Sequence, residues 1–322
     1  MAVADRKRIA LRLNTPFCPV KCPYCTKTTL PAGDPWMRRA YLEALSREIE
    51  SAAADFRDCT VAAVWVGEGV AGHMFDEELG DLLRSLFRLF DMEADAEITC
   101  TVHPGMVSVE TLNACRKGHV TRLAIEFETS NLREHAALGR FLDPSAMDTT
   151  SMVLGKAARE ALSLEFSIAV GIPGQTSASL HRSIDQAIAY GASQVTLHPL
   201  EGIGDDCAEA AEANIQGLAS VSDEQRAELL GFATAYLTMC GFEQYLPLLF
   251  AQPGARCRYY ELDAQRCDML GFGLGAQTRF AGTSAVNTTD LDTYLAYSAV
   301  PEKCIAHVTR PSLGIEEKSL SA

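Results

Sequence analysis

Six short apolar runs constrain the fold of this chain more than any other feature of its sequence, and their starts lie roughly 30 residues apart. Longer amphipathic stretches separate them. In Met37 to Ala52, for example, apolar residues recur at the spacing that lines one face of a helix. Strands that alternate with helices are typical of a parallel sheet. The predicted strands are Ile9 to Asn14, Val61 to Val66, Glu97 to Val102, Thr121 to Phe127, Leu164 to Val170 and Ser193 to His198.

At 322 residues the chain is long enough for one α/β barrel or for two ordinary domains. The alternation weakens after Pro199, where an acidic stretch, a predicted helix over Asp223 to Cys240 and a Gly-rich segment over Leu270 to Gly282 follow. We expect an α/β fold in which residues 1–240 form a partial (β/α)6 TIM-like barrel. Residues 241–322 are expected to form a short α+β extension packed on it. Helical spacing further predicts that Phe87, Phe90 and Phe232 lie in the core.

Composition excludes several classes of protein. The formal charge of −14 and a pI near 5.0 argue against a nucleic-acid partner, which requires a concentrated positive surface. No apolar run approaches the roughly 20 residues that span a bilayer, and the first residues lack a signal-peptide pattern. The eleven cysteines are odd in number and mostly scattered singly, which favours reduced thiols over disulfides. We therefore expect no membrane span and a cytoplasmic location.

Three cysteines follow the first predicted strand in TPFCPVKCPYCTK, as Cys18, Cys22 and Cys25 at C-x3-C-x2-C spacing. Thiolates at this spacing can converge on one metal centre. A structural zinc site needs four ligands, and the nearest other candidates are Cys59 and His73. Three ligands would instead leave one iron of a [4Fe-4S] cluster open, whereas ordinary electron-carrying clusters take four cysteines. A substrate-binding cluster is the favoured interpretation, and zinc, another metal or inert thiols are the alternatives.

The cysteine loop and its surroundings resemble the radical S-adenosylmethionine (SAM) superfamily, in the branch of oxygen-independent coproporphyrinogen III oxidase and the related heme chaperone. Phe17 before the first cysteine and Tyr24 before the last match the opening motif of the family. Further motifs similar to those of the family occur in the same order along the chain, among them the segments beginning at Val170 and Gly241. The resemblance implies a barrel of the radical SAM type, with a [4Fe-4S] cluster and SAM as cofactors, and it places Phe17 and Tyr24 near SAM.

The resemblance also assigns the loop after the second strand to SAM binding. Gly67, Glu68 and Gly69 would approach the amino group of SAM, and Glu68 could pair with it; a tight βα turn is the alternative. Thr101 stands where the family commonly has a carboxylate. We expect that a charged contact to the cofactor is lost there.

Five more SAM contacts are implied further along the chain. Glu128 stands where the family has Gln, and Arg140 matches the arginine that would hold the SAM carboxylate; a surface helix arginine is the alternative. Ser167 stands where the family often has Asp, whereas Gly171 and Ile172 are kept. The replacements predict a diverged cofactor pose or weakened catalysis.

The resemblance implies several possible functions. An oxidase-like enzyme would cleave SAM reductively to a 5′-deoxyadenosyl radical, which abstracts hydrogen from a small organic substrate such as a tetrapyrrole. It requires a reducing electron donor of the flavodoxin or ferredoxin kind. A heme chaperone, a catalytically degenerate cluster protein and a SAM-dependent methyltransferase are the alternatives. The oxidase's additional cysteine after the motif is absent, because Thr26 and Lys27 follow Cys25, and we expect the family's usual C-terminal domain to be lacking. Both features argue against authentic oxidase activity.

Overall fold

The computed structural model describes residues 6–18, 21–22, 24–25, 27–31, 33–69, 77–140, 152–155, 157, 162–200 and 221–309. All of the predicted site residues lie in these ranges, although Glu68 is described only by its backbone. Apolar spacing also predicts a helix over residues 75–90, and the first two of these residues lie outside the described ranges. Residues 310–322 of the expected extension lie outside them as well.

All six predicted strands are confirmed, because each apolar run is buried between sheet neighbours. The strands are β1 (Lys7–Thr15), β2 (Phe17–Cys18), β3 (Leu30–Pro31), β4 (Cys59–Glu68), β5 (Asp91–Val102), β6 (Arg122–Glu128), β7 (Ser163–Val170), β8 (Gln194–Pro199), β9 (Glu243–Leu246), β10 (Leu249–Ala251), β11 (Asp268–Phe272), β12 (Gln277–Phe280), β13 (Thr283–Asn287) and β14 (Ile305–Thr309).

The helices connect these strands as the amphipathic stretches predict. They are α1 (Pro35–Ala53), α2 (Glu77–Leu89), α3 (Val109–Lys117), α4 (Leu132–Ala137), α5 (Ser177–Ala189), α6 (Asp223–Met239), α7 (Arg258–Ala264), α8 (Leu291–Tyr297) and α9 (Pro301–Cys304). Helix α1 begins at Pro35 because the Asp34 side chain accepts hydrogen bonds from the backbone N–H groups of Trp36 and Met37. None of the described helices is long and apolar enough to cross a membrane.

One twelve-stranded sheet organises the described part of the chain. Strands β1, β4, β5, β6, β7 and β8 lie side by side in chain order and run parallel. Strand β11 joins the sheet parallel to β1, although its last three residues fall in the Gly-rich segment, for which the sequence predicts no strand. Antiparallel strands complete both ends, β12 to β14 beyond β11 and β10 with β9 beyond β8. The α/β class with a mostly parallel sheet is confirmed, and the domain division near residue 240 stays a prediction.

The two faces of the parallel strands differ in polarity. One face packs against α1, α2 and the other connecting helices through a large apolar core. The opposite face, here called the polar face, carries Glu97, Arg122, Glu165 and Gln194, and α7 covers part of it. Side chains alternate between the faces along each strand, so the sequence of a strand determines which of its residues reach the polar face.

One predicted core position is wrong. Phe90 is buried and Phe232 packs against the core, but Phe87 is 41% exposed. Its ring lies 4.7 Å from the ring of His119, on the outer side of α2. Helical periodicity places Phe87 and Phe90 close together without fixing where the buried face ends.

A buried carboxylate, Glu48 on α1, joins three distant parts of the chain. It accepts hydrogen bonds from the backbone N–H of Gly273 at 2.8 Å, from Asn287 Nδ2 at 2.6 Å and from the Tyr294 hydroxyl at 2.6 Å. These residues follow β11, end β13 and lie on α8. Burial raises the pKa of Glu48 above its usual range, and the three donors oppose that shift.

The same region fixes the end of β1, where the cysteine loop begins. The Tyr41 hydroxyl donates to the Asn14 carbonyl at 2.8 Å and accepts from the backbone N–H of Leu274 at 3.0 Å. Asn14 Nδ2 in turn donates to the Leu274 carbonyl at 2.9 Å. Gly273 permits this approach, because a Cβ there would lie 2.5 Å from the Tyr41 hydroxyl and its φ is +102°. The turn after β11 therefore holds the start of the cysteine loop.

Replacement of Tyr294 by Phe is expected to lower the free energy of unfolding by about 1–3 kcal/mol, because the buried Glu48 carboxylate loses a donor. Urea denaturation measures the change. Tyr297→Phe on the same helix is the matched control, since Tyr297 is partly exposed and its ring contact with Lys303 survives the substitution. Equal losses in the two variants would contradict a special role for the Glu48 network.

Candidate functional site

The cysteine loop is closed at its base by a short parallel ladder. Phe17 pairs with Leu30 and Cys18 with Pro31, and the Leu30 N–H donates to the Pro16 carbonyl at 2.7 Å. Inside the loop, the Cys25 N–H donates to the Cys22 carbonyl at 2.9 Å and forms a tight turn. The loop thus begins and ends at the same place, directly after the C-terminal end of β1.

The three loop cysteines differ in exposure. Cys22 is buried, whereas Cys18 and Cys25 are half-buried, and none of the three is in a disulfide. Within the described ranges, no three Cys, His, Asp or Glu side chains are already grouped as they would be around a bound metal. The donor set nevertheless fits an iron–sulfur cluster by its chemistry, because three thiols lie on one loop and a guanidinium group contacts one of the sulfurs.

Gly69 and Gly67 bring the end of β4 against neighbouring strands. A Cβ on Gly69 would lie 2.6 Å from the backbone nitrogen of Phe17, so the β4 loop touches the first residues of the cysteine loop. A Cβ on Gly67 would lie 2.6 Å from both Thr101 Oγ1 and Trp65 Nε1. Close packing therefore requires glycine at both predicted positions. Gly69 lies against the start of the cysteine loop, and Gly67 lies against Thr101.

Arg140 links the cysteine loop to the end of β6. Its Nε donates to Cys22 Sγ at 3.1 Å, and its Nη1 donates to the Glu126 carbonyl at 3.0 Å. Its Nη2 lies 3.4 Å from Glu128 Oε1 and 3.8 Å from Glu126 Oε2. The side chain is 12% exposed, so the alternative of a surface helix arginine is wrong. Three predicted residues, Cys22, Glu128 and Arg140, are thus in one contact group.

The two carboxylates beside Arg140 have different affinities for protons. Burial raises the pKa of Glu128 to about 8; Arg140 opposes this shift and Glu126 adds to it. Burial also disfavours charge on Glu126, but Arg140, His198 and Lys27 more than offset it and lower its pKa. The pair therefore carries one negative charge near neutral pH, matched by the guanidinium.

An apolar cluster supports the same region from the other side. Tyr24 packs against the cluster of Leu138, Ala169 and Ile172, in which Ile172 is fully buried. Burial raises the pKa of the Tyr24 hydroxyl, and the nearby Glu128 adds to the shift. Tyr24 of the cysteine loop, Leu138 before Arg140 and Ile172 after β7 are therefore brought together.

The remaining predicted positions lie at the C-terminal ends of the strands. Gly171, at φ +96°, starts a turn that the Gln175 side chain holds by accepting from the Gly171 N–H at 2.7 Å and donating to the Ala169 carbonyl at 2.9 Å. Thr101 and Ser167 are buried on the polar face, and Ser167 pairs with Thr196 of β8. The Glu68 backbone is in register with Thr15 at the start of the cysteine loop.

The chain is similar in sequence to known proteins over most of its length. The chain is 28% identical to the heme chaperone HemW of Mycobacterium tuberculosis over 318 residues, which cover 96% of this chain and 77% of that protein. The chain is thus similar to HemW over most of its length. It is also 22% identical to the oxygen-independent coproporphyrinogen III oxidase of Pseudomonas aeruginosa over 302 residues, which cover 89% of this chain and 65% of that protein. No family model matches the sequence.

The fold comparison identifies the architecture around the site. Coproporphyrinogen III oxidase HemN of Escherichia coli, a radical SAM enzyme, matches with a TM-score of 0.79 at 20% identity, over 94% of this chain and 72% of that one. The chain therefore has the fold of a radical SAM enzyme. Together with the HemW relatives, this match confirms the resemblance that the cysteine loop and the later motifs suggest.

Two residues of the site were missed from the sequence. Glu126 contacts Arg140 through both its carbonyl and its side chain, and Gln175 closes the turn after β7. A signal for Glu126 existed, because it lies two residues before Glu128 near the end of a strand, and such positions share a face. Gln175 carries no comparable signal, since its role depends on a turn shape that the sequence does not fix.

Gly69→Ala is expected to displace the start of the cysteine loop, because its Cβ meets the backbone nitrogen of Phe17 rather than a movable side chain. Iron bound after anaerobic reconstitution should fall at least severalfold while the circular dichroism of the fold is kept. Gly33→Ala is the matched control, because no atom lies within 4 Å of the added Cβ. Wild-type iron content in Gly69→Ala would contradict the importance of this approach.

The apoprotein is expected to lose stability as pH rises from about 5 to 8, in part through Glu128. Its folded pKa of about 8 exceeds the unfolded value, so the native state binds more protons in this window and is favoured at its lower end. Urea denaturation across the window should show a smaller decline for Glu128→Gln than for wild type. The exposed Glu228→Gln is the control, and parallel curves for wild type and Glu128→Gln would refute the assignment.

Proposed function

We propose that this chain holds a [4Fe-4S] cluster through Cys18, Cys22 and Cys25 and binds SAM beside it at the C-terminal edge of the sheet. The observation that carries the proposal is the contact group around Arg140, which joins Cys22 to the end of β6. A guanidinium group buried against a loop thiol and two carboxylates suits a site that receives an anionic cluster and a zwitterionic cofactor.

Different residues of the chain would bind different groups of SAM. Gly67 and Gly69, which pack against Thr101 and the start of the cysteine loop, would present backbone groups to SAM. Glu68 at the same turn would offer a carboxylate to its amino group. Arg140 would meet the SAM carboxylate. The other proposed SAM contacts are Phe17, Tyr24, Thr101, Glu128, Ser167, Gly171 and Ile172.

When bound, the reduced cluster and SAM together supply a 5′-deoxyadenosyl radical for hydrogen abstraction. The polar face below the site would orient a small organic substrate, with a tetrapyrrole as the class favoured by the named relatives. The proposal includes a reducing electron donor of the flavodoxin or ferredoxin kind. It also includes a cytoplasmic location, with which ten cysteines outside disulfides in the described ranges agree.

Heme delivery is the second candidate, because several curated relatives are named heme chaperones. In the segment where the family resemblance implies a histidine, this chain has Cys257. That thiol is fully buried and donates to Glu97 Oε1 at 3.0 Å, so it would have to leave a buried pair to reach a heme iron. Heme binding by this chain would therefore use another group.

Anaerobic reconstitution with iron and sulfide tests the proposal. Wild type should take up about four irons per chain and, after reduction, release 5′-deoxyadenosine from SAM. The double variant Cys22→Ala/Cys25→Ala should lose the cluster. Cys240→Ala/Cys267→Ala is the matched control, since it also removes two thiols but spares the loop.

Two outcomes would change the conclusion. Equal iron content in the loop variant and the control would refute the cluster assignment. A cluster without SAM cleavage, combined with tight heme uptake in an optical titration, would favour the carrier function over the enzyme.

A further inference from the structure

The guanidinium of Arg140 contacts a sulfur atom of the cysteine loop as well as two carboxylates. Its Nε lies 3.1 Å from Cys22 Sγ and donates to it. A neutral thiol sulfur is a weak acceptor, whereas a thiolate accepts a charge-assisted hydrogen bond from a guanidinium. The contact is therefore most favourable when Cys22 is deprotonated, as it is when it binds iron.

The position of this guanidinium is fixed by the protein on its other sides. Nη1 is held by the Glu126 carbonyl, and Nη2 lies beside Glu128 and Glu126. The backbone N–H of Arg140 donates to the His135 carbonyl at 2.9 Å, directly after Gly139 ends the α4 turn at φ +66°. Groups of the protein itself thus hold the guanidinium toward Cys22.

We propose that Arg140 is a positioning residue for the cluster itself, which donates a hydrogen bond to Cys22 and raises the reduction potential of the cluster. This inference rests on the proposed cluster site. It goes beyond the SAM-carboxylate role, because it assigns Arg140 an effect that exists before SAM binds. A guanidinium has five N–H donors, so the two roles can coexist.

The direction of the effect follows from electrostatics. Reduction adds one negative charge to the cluster, and a nearby positive charge with a hydrogen bond to sulfur stabilises the reduced form. Glu126 and Glu128 partly neutralise the guanidinium from its far side, so they moderate the effect. Loss of the guanidinium should therefore make the cluster harder to reduce.

The test compares reconstituted wild type with Arg140→Gln and Arg140→Lys in the absence of SAM. Dithionite titration with redox mediators, followed by electron paramagnetic resonance, gives the midpoint potential. We expect Arg140→Gln to weaken the affinity for the electron at least tenfold, a downward shift of about 59 mV for a one-electron couple. Arg140→Lys keeps the positive charge, and its midpoint potential should lie between those of wild type and Arg140→Gln. Arg133→Gln is the matched control, because it removes an exposed arginine from α4, the helix that ends three residues before Arg140.

Each outcome decides between the alternatives. A folded Arg140→Gln protein that takes up no cluster, while Arg140→Lys does, supports the positioning role as well. An intact cluster with wild-type potential in Arg140→Gln would overturn the inference, as would an equal shift in Arg133→Gln. Absence of iron from the wild type would overturn the proposed function and this inference together, whereas the preceding results would leave the proposed function standing.

Discussion

The buried carboxylate of Glu48 is the interaction on which the cysteine loop ultimately depends. It gathers donors from the turn after β11, from β13 and from α8 on a single side chain of α1. The turn after β11 also binds Asn14 through the Leu274 carbonyl. Residues from the last quarter of the described chain therefore position the base of the cysteine loop. A charged group with three donors can be buried at this point because its lone pairs are used.

The loop is also held from the opposite side of β1 and at its tip. Gly69 lets the end of β4 pack directly on the backbone at Phe17, and Arg140 reaches the sulfur of Cys22 from beyond β6. The three contacts come from different parts of the sheet and act on different parts of one loop. Their combination explains how a Pro-rich segment with little secondary structure of its own has a defined place.

Sequence reasoning succeeded where a local pattern sufficed. Buried apolar runs predicted all six parallel strands. The family motifs included Cys22, Glu128 and Arg140, which the fold brings into contact, whereas their roles as ligands stay predictions. It missed β11, because five residues beside several glycines give no periodic signal and the strand is defined by its pairing with β1 and β12. It could not show that Arg140 touches Cys22, since 118 residues separate them and only the tertiary fold joins them. The prediction that Phe87 is buried was wrong, because helical periodicity defines the buried face of a helix less precisely than its packing does.

The pairing of β1 with β11 has a consequence for the order in which the protein forms. The Asn14 and Leu274 partners lie 260 residues apart, and such distant contacts form slowly and late. During synthesis the cysteine loop emerges early, with its base still unlatched and its thiols open to oxidation or to stray metal ions. Insertion of the proposed cluster is therefore expected to follow completion of β11, which would make it a late event in the life of each new chain.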